Sequence, residues 1–149
     1  MNREFTTTIR VAQSPQHVFE AVTNVRGWWS GEIDGPTDEL GGAFTYRYKD
    51  LHYSKQTITE LVPGRRVAWR VTDSYLGFVA DEREWNGTTI AFDIAAHGET
   101  TELRFTHAGL VPAHECYGAC ASAWSSYIQG SLRSLIETGV GEPNAREHS

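Results

Sequence analysis

The sequence predicts one α+β domain in which a curved antiparallel sheet of six strands wraps around a long C-terminal helix. Apolar residues recur every three or four positions from Ala113 to Thr138, as on one side of a helix, and they alternate with polar residues in six shorter segments. A short broken helix is predicted between strands 1 and 2. Short connections favour antiparallel neighbours, and a sheet of this size must twist, so its concave side can receive the helix.

Composition limits the domain count and the classes of partner. The chain has 149 residues, 40% of them hydrophobic, which favours a single domain over residues 1–139 with a flexible polar tail at 140–149. The formal net charge of -6 argues against a nucleic-acid partner or an anionic membrane surface. No apolar run reaches the ~18 residues that cross a bilayer, so we expect no membrane insertion and a cytoplasmic location.

The first strand and the first helix follow from the N-terminal part of the chain. From Arg3 to Val11 apolar and polar residues alternate with a high β-branched content, which is typical of a strand with one buried face. Ser14 and Pro15 then supply an N-cap and a first helical residue. Helical spacing continues to about Trp29, with a break expected near Asn24.

Three strands are predicted in the middle of the chain, after a loop that ends at Gly42. The third strand covers His52 to Val62, and Pro63-Gly64 suits the central positions of a type II turn, which implies a hairpin. The predicted inward residues of strands two to four are Phe44, Tyr46 and Tyr48, then Ser54, Gln56 and Ile58, then Val67, Trp69 and Val71.

The last two strands follow an irregular stretch. Residues from Asp73 to Asn86 lack a clear period, and we expect an extended excursion or lid there. Turn signals at Asn86-Gly87 and His97-Gly98 begin and end the fifth strand. The predicted inward residues are Ile90, Phe92 and Ile94 on the fifth strand, and Leu103, Phe105 and His107 on the sixth.

The C-terminal helix is bounded by Pro112 and Gly139, which are common residue types just inside the start and just past the end of a helix. Cys116 and Cys120 lie one turn apart, where side chains lack disulfide geometry, so we read both as reduced thiols. Gly118 costs the helix about 1 kcal/mol relative to alanine. It either makes room for a ligand or lid, or packs tightly against a large ring.

Five short motifs are spread along the chain: Ser14-Pro15-Gln16-His17-Val18-Phe19, Gly27-Trp28-Trp29, Glu84-Trp85-x-Gly87-Thr88, Arg104-Phe105-Thr106-His107-x-Gly109-Leu110 and Trp124-x-x-Tyr127-Ile128. With the order of elements, they resemble the START-like (SRPBCC) superfamily, and more narrowly its heat-shock-protein-90 ATPase activator homologue branch, of AHSA type. The resemblance covers roughly Phe5 to Thr138. It implies a helix-grip fold with a hydrophobic cavity between sheet and helix, a scaffold that binds lipids, polyketides and other apolar ligands.

The aromatic content also favours a cavity. The chain has five Trp, six Tyr and six Phe, many at positions assigned to the concave face or its mouth. Any one ring could simply fill the core, but as a set the Tyr and Trp side chains bring polar groups that a dry core does not need. The candidate cavity-lining residues are Trp28, Trp29, Phe44, Tyr46, Tyr48, Gln56, Trp69, Phe78, Trp85, Phe92, Phe105, His107, Tyr117, Cys120 and Trp124.

Two of these residues are polar candidates. His107 could act as an acid, a base or a ligand contact, or as a structural histidine bonded to the backbone or a loop side chain, which we favour. Gln56 either faces a ligand or is a core amide satisfied by the sheet. No strong zinc signature is formed by His107, His114, Glu115, Cys116 and Cys120. Because catalytic, phosphate-binding and dinucleotide motifs are absent as well, we predict no metal, no cofactor and no assigned catalytic residue.

The preferred function is binding of a small hydrophobic or amphipathic molecule, without an assigned reaction. One alternative is a module that interacts with a chaperone, as the resemblance implies. Another is a cyclase or hydrolase of an aromatic or polyketide-like substrate that uses His107 or a lid carboxylate. The expected partners are therefore a small apolar molecule, possible chaperone binding and a possible homodimer.

Overall fold

Seven strands form one antiparallel sheet in the computed structural model, which describes residues 5–29, 32–48, 52–76, 85–109 and 117–141. The order across the sheet is β1-β7-β6-β5-β4-β3-β2. From β2 to β7, consecutive strands are therefore neighbours, whereas β1 pairs with β7 and lies at the opposite edge from β2. The strands are β1 Phe5–Val11, β2 Glu32–Asp34, β3 Ala43–Tyr48, β4 His52–Val62, β5 Arg66–Leu76, β6 Thr89–His97 and β7 Thr100–Ala108.

The predicted count of six strands is wrong by one. The additional strand, β2, lies in the segment predicted as a loop and pairs with β3 through three residues. Its sequence is Glu-Ile-Asp, and a single apolar residue gives no alternation to detect. Pairing with β3, and not a pattern of its own, makes this edge segment a strand.

The C-terminal helix occupies residues 117–138 and is regular only at its two ends. It consists of α2 (Tyr117–Ser125), a π-helical segment (Ser126–Leu132) and α3 (Arg133–Thr138). Gly139 ends it with a φ of 83° in the left-handed region, as predicted. The predicted start at Ala113 lies outside the described residues.

The first helix, α1 (Pro15–Thr23), packs on the same side of the sheet as the C-terminal helix. Ser14 caps it by accepting a hydrogen bond from the His17 backbone N–H at 3.1 Å. The His17 ring Nε2 contacts the backbone oxygen of Ile136 at 3.0 Å, which ties the two helices together. Asn24 separates α1 from a 3₁₀ turn at Val25–Gly27. The two residues that follow this turn, Trp28 and Trp29, are buried in the core.

β4 and β5 form a hairpin in the middle of the sheet. Its turn has the predicted geometry, because Gly64 has a φ of 72° and the Arg65 N–H donates to the Val62 carbonyl at 2.9 Å. β5 continues to Leu76, so the predicted excursion does not begin at Asp73. A register shift between Lys55 and Gln56 breaks the simple alternation of β5 and hides this continuation in the sequence. Residues 77–84 lie outside the described part of the chain.

The convex face of the sheet is polar. Arg66 on β5 forms ion pairs with Glu60 of β4, at 2.7 Å, and with Asp93 of β6. The hydrogen bonds that the Arg66 guanidinium donates to these two carboxylates raise its pKa. The side chains that are shielded from water therefore lie on the concave side. Among the described helices, none is long and apolar enough to cross a membrane.

Candidate functional site

All five tryptophans of the chain lie in one buried group, called here the tryptophan cluster: Trp28, Trp29, Trp69, Trp85 and Trp124. The first two follow the 3₁₀ turn, Trp69 lies on β5, Trp85 precedes β6, and Trp124 lies on α2. Ring centroids are 6.1 Å apart for Trp29 and Trp69, 5.2 Å for Trp29 and Trp124, and 5.7 Å for Trp85 and Trp124. The cluster thus joins the sheet to the C-terminal helix and to the 3₁₀ turn that follows α1.

Smaller rings extend this cluster across the concave face. Tyr46 stacks on Trp29 with centroids 4.0 Å apart and an angle of 7° between the rings. Phe105 contacts Trp124 at 4.6 Å, and Phe92 meets Phe105 at 5.3 Å with an angle of 68°. Stacked and edge-to-face pairs of this kind each add about 0.5–1.5 kcal/mol beyond the area they bury. Together these rings form an aromatic wall on the concave face.

The structure brings most of the predicted cavity-lining residues together. Tyr48 is partly buried against the same core. Phe78 and the side chain of Tyr117 lie outside the described residues. Cys120 is buried and is not in a disulfide, as predicted, whereas Cys116 lies outside the described residues. The other predicted residues are all buried: Trp28, Trp29, Phe44, Tyr46, Gln56, Trp69, Trp85, Phe92, Phe105, His107 and Trp124.

His107 is held through both ring nitrogens. The indole N–H of Trp124 donates to Nδ1 at 3.1 Å. Because an indole nitrogen can only donate, Nε2 must carry the ring proton, and it donates to Thr88 Oγ1 at 2.8 Å. The Thr88 hydroxyl in turn donates to the backbone oxygen of Trp85 at 2.6 Å. This series of hydrogen bonds fixes a neutral tautomer of His107 and supports the structural role for this residue.

These hydrogen bonds explain two of the sequence motifs physically. Trp85 and Thr88 belong to one motif, and His107 and Gly109 belong to the other. Thr88 and His107 are 19 residues apart in sequence. Gly109 has a φ of 99°, and a Cβ there would lie 2.8 Å from Cγ2 of Thr88. The glycine therefore lets the β7 end approach Thr88 closely enough for the histidine bond to form.

A second set of polar side chains lies on the inner face of β4. We call His52, Ser54 and Gln56 the polar stripe. Ser54 and Gln56 are fully buried, and they face Tyr46 and Phe44 of β3 in register. Four buried atoms of the stripe have no hydrogen-bond partner among the described residues: His52 Nε2, Ser54 Oγ, and both Nε2 and Oε1 of Gln56.

Two indoles beside the stripe share this property. Trp69 Nε1 and Trp85 Nε1 are buried and unpartnered within the described chain. Trp28 and Trp124, in contrast, donate to the Val22 backbone oxygen at 3.2 Å and to His107. The tryptophan cluster therefore contains both satisfied and unsatisfied N–H groups, and the unsatisfied ones flank the polar stripe.

His52 connects the stripe to the cluster. Its ring meets Trp85 edge-on at 4.5 Å and Tyr46 at 4.9 Å. Burial among these rings lowers the pKa of His52 to about 3, because the charged imidazolium loses its hydration there. At neutral pH the stripe is uncharged.

Unpaired polar groups in a protein interior are expensive, at about 1–3 kcal/mol each. Native structures pair the large majority of such groups, so several in one place require an explanation. A molecule from outside the chain that bonds to them is one such explanation.

Sequence reasoning found only part of this set. Gln56 was predicted as a polar candidate, and Ser54 was assigned to the same face without a role. His52 and Thr88 were missed. The alternation of β4 places His52 on the face of Ser54 and Gln56, so a signal for it was present, whereas Thr88 sits in an irregular turn that shows no such pattern.

Solved structures with this architecture identify the class of fold. The Aha1 dimer from Colwellia psychrerythraea superposes with a TM-score of 0.74 at 23% identity, covering 93% of this chain and 98% of that one. DynU16, a putative protein in the dynemicin biosynthetic locus, gives 0.71 at 16% identity over 95% of this chain and 49% of its own. CalU16 from Micromonospora echinospora gives 0.62 at 15% identity, over 88% and 73%. At these identities the likeness shows the fold, an antiparallel sheet with a C-terminal helix in the helix-grip arrangement.

The sequence itself gives the family. Residues 12–137 match the family model for Activator of Hsp90 ATPase homolog 1-like protein, and the chain belongs to that family. This confirms the resemblance that the motifs indicated. No curated protein is significantly similar to the chain in sequence.

Proposed function

We propose that this protein binds a small hydrophobic or amphipathic molecule between the inner face of the sheet and the C-terminal helix. The observation that supports the proposal most strongly is the polar stripe beside Trp69 and Trp85. Apolar walls with a few convergent polar groups are the usual composition of a small-molecule site. Here the walls are aromatic, and the polar groups have no partners in the described chain.

A titration of the purified protein tests the proposal. Isothermal titration calorimetry with naphthalene and with 2-quinolinone, which share one bicyclic shape, should give saturable binding of at least one of them at one molecule per chain. Ser54→Leu places a larger side chain in the stripe and should abolish binding. Lys55→Leu makes a similar change on the exposed neighbouring position and should leave binding intact. If neither ligand gives a binding heat with the folded protein, the proposal is contradicted.

No reaction is part of the proposed function. An enzyme that used His107 as an acid or base would need at least one ring nitrogen directed at a substrate. Both nitrogens are engaged with Trp124 and Thr88, so the geometry favours binding.

The family description supports chaperone interaction as a second candidate function. An assay of Hsp90 ATPase activity with and without the protein separates the two candidates. Stimulation that persists in Ser54→Leu would assign the activity to a surface other than the stripe. Sedimentation velocity on the same samples tests the expected homodimer, a state named for the Colwellia protein.

A further inference from the structure

The hydrogen-bonding groups of the polar stripe specify what kind of molecule can bind beside them. Gln56 contributes a carboxamide whose N–H₂ donates and whose oxygen accepts, and both atoms are unpartnered in the described chain. A side-chain amide presents this donor and acceptor side by side in one plane. Its complement is a second planar group with an adjacent acceptor and donor, and the two then form a pair of parallel hydrogen bonds.

The surroundings of Gln56 restrict the ligand further. In register it lies opposite Phe44 on β3 and Val71 on β5, and the Phe44 ring meets Trp69 at 5.0 Å. A ligand that reaches the amide is therefore bounded by rings, which favours a flat aromatic body. The indole N–H of Trp69 is one further donor on the same face.

Charge is the third restriction. Among the described residues that are buried, none is Asp, Glu, Lys or Arg. His52, which belongs to the stripe, is partly buried, and His107 nearby is fully buried and neutral in its bonded tautomer. A carboxylate or ammonium on the ligand would lose its hydration there without gaining a counter-charge from the described residues.

We infer that the site selects an uncharged, planar aromatic molecule whose edge carries a hydrogen-bond acceptor next to a donor, such as a cyclic amide, and that Gln56 pairs with this edge. The inference rests on the proposed function, since it requires that a ligand enters between sheet and helix. Beyond the proposed function, it specifies the ligand's charge, shape and hydrogen-bond pattern. A site that bound its ligand through apolar contacts alone would not select for these properties.

Four bicyclic probes of similar size test the inference by calorimetry. They are naphthalene, which has no polar group; 2-quinolinone, which has adjacent acceptor and donor; 1-methyl-2-quinolinone, which keeps the acceptor and loses the donor; and 2-naphthoate, which is charged. We expect 2-quinolinone to bind at least tenfold more tightly than each of the others. Equal or tighter binding of naphthalene or 1-methyl-2-quinolinone would overturn the paired-edge assignment, and equal or tighter binding of 2-naphthoate would overturn the charge assignment. Binding of none would instead contradict the proposed function.

A variant identifies the amide that makes the pair. Gln56→Met keeps a side chain of similar length and removes both polar atoms, so it should abolish the preference for 2-quinolinone over naphthalene while naphthalene binds as before. Gln16→Met makes the same change at an exposed position of α1 and should preserve the preference. A preference that survives in folded Gln56→Met would show that Gln56 is not the pairing group.

Discussion

Gln56 is the residue at which folding stability and the proposed function oppose each other. It is fully buried in the middle of the sheet, and neither polar atom of its amide has a partner within the described chain. A protein selected only for stability would place an apolar side chain there, because the amide loses its hydration and gains no bond. The cost is explained if a ligand supplies the missing partners.

Replacing this amide should therefore stabilise the ligand-free protein. Gln56→Met is expected to raise the free energy of unfolding by about 1–2 kcal/mol, because it removes two unpaired polar atoms and keeps most of the volume. Urea denaturation followed by fluorescence measures the change. Gln16→Met serves as the exposed control and should differ little from the wild type. A loss of stability in Gln56→Met would mean that the amide is satisfied in the folded protein.

His52 should make the fold sensitive to mild acid. Its pKa is about 3 when folded, against 6.5 for the ordinary histidine, so the unfolded chain binds a proton more readily. Its contribution to stability is complete above pH 6.5 and declines as the pH falls toward 3, at up to about 1.4 kcal/mol per pH unit. Between pH 7 and pH 5.5 this amounts to about 1 kcal/mol.

Comparison with a variant isolates this effect from the other titrating groups. The wild type should lose about 1 kcal/mol more than His52→Gln between pH 7 and pH 5.5, as measured by urea denaturation at both values. His97→Gln removes an exposed histidine and should follow the wild type. Parallel pH profiles for wild type and His52→Gln would show that His52 keeps its ordinary pKa when folded.

Individual site residues could be predicted from the sequence only where a local pattern marks them. Gln56 was predictable because it stands between Ser54 and Ile58 on a regular strand. The partners of His107 were not, because Thr88 and Trp124 reach it from sites 19 and 17 residues away. No single-sequence pattern reports a hydrogen bond between separate elements.

At the scale of elements, the C-terminal helix illustrates how a correct prediction can miss internal detail. Its apolar face and its end at Gly139 follow from spacing and capping rules. The π-helical segment at Ser126–Leu132 does not follow from these rules, because a π turn depends on packing against other parts of the fold. Ser131, within this segment, donates to the Trp28 backbone oxygen at 2.7 Å and so fixes the turn that carries Trp28 and Trp29.

Two glycines at opposite ends of this helix should respond to alanine in opposite directions. Gly118 is exposed, and no described atom lies within 4 Å of the position a Cβ would take, so the predicted tight packing against a ring is not found among the described residues. Gly118→Ala should stabilise the protein by about 0.5–1 kcal/mol through helix propensity. At Gly141 a Cβ would lie 2.0 Å from the Gly27 backbone oxygen.

Gly141→Ala should consequently destabilise the protein, because backbone atoms on both sides must move apart. Thermal unfolding of the two variants beside the wild type gives the comparison, with a higher Tm expected for Gly118→Ala and a lower one for Gly141→Ala. A lower Tm for Gly118→Ala would indicate that this position is filled by another part of the chain.

For the whole molecule, alternation and helical spacing were sufficient to predict an α+β fold with an antiparallel sheet and a terminal helix. Those patterns are imposed by a single requirement, that one side of each element be buried. They contain no information on the short edge strand β2 or on the length of β5 beyond its bulge, because both depend on pairing with a neighbour. The likeness of fold to proteins at 15–23% identity shows how little sequence this architecture requires.

The proposed function requires that a small aromatic molecule bonds to the unsatisfied groups between sheet and helix. The most direct measurement is the indole N–H spectrum of protein labelled with ¹⁵N-tryptophan, recorded during a titration with 2-quinolinone. We expect saturable shifts of the Trp69 and Trp85 signals, whose N–H groups have no partner among the described residues, and a much smaller shift of Trp28, which already donates to Val22. Unchanged Trp69 and Trp85 signals at saturating 2-quinolinone would contradict the proposed function.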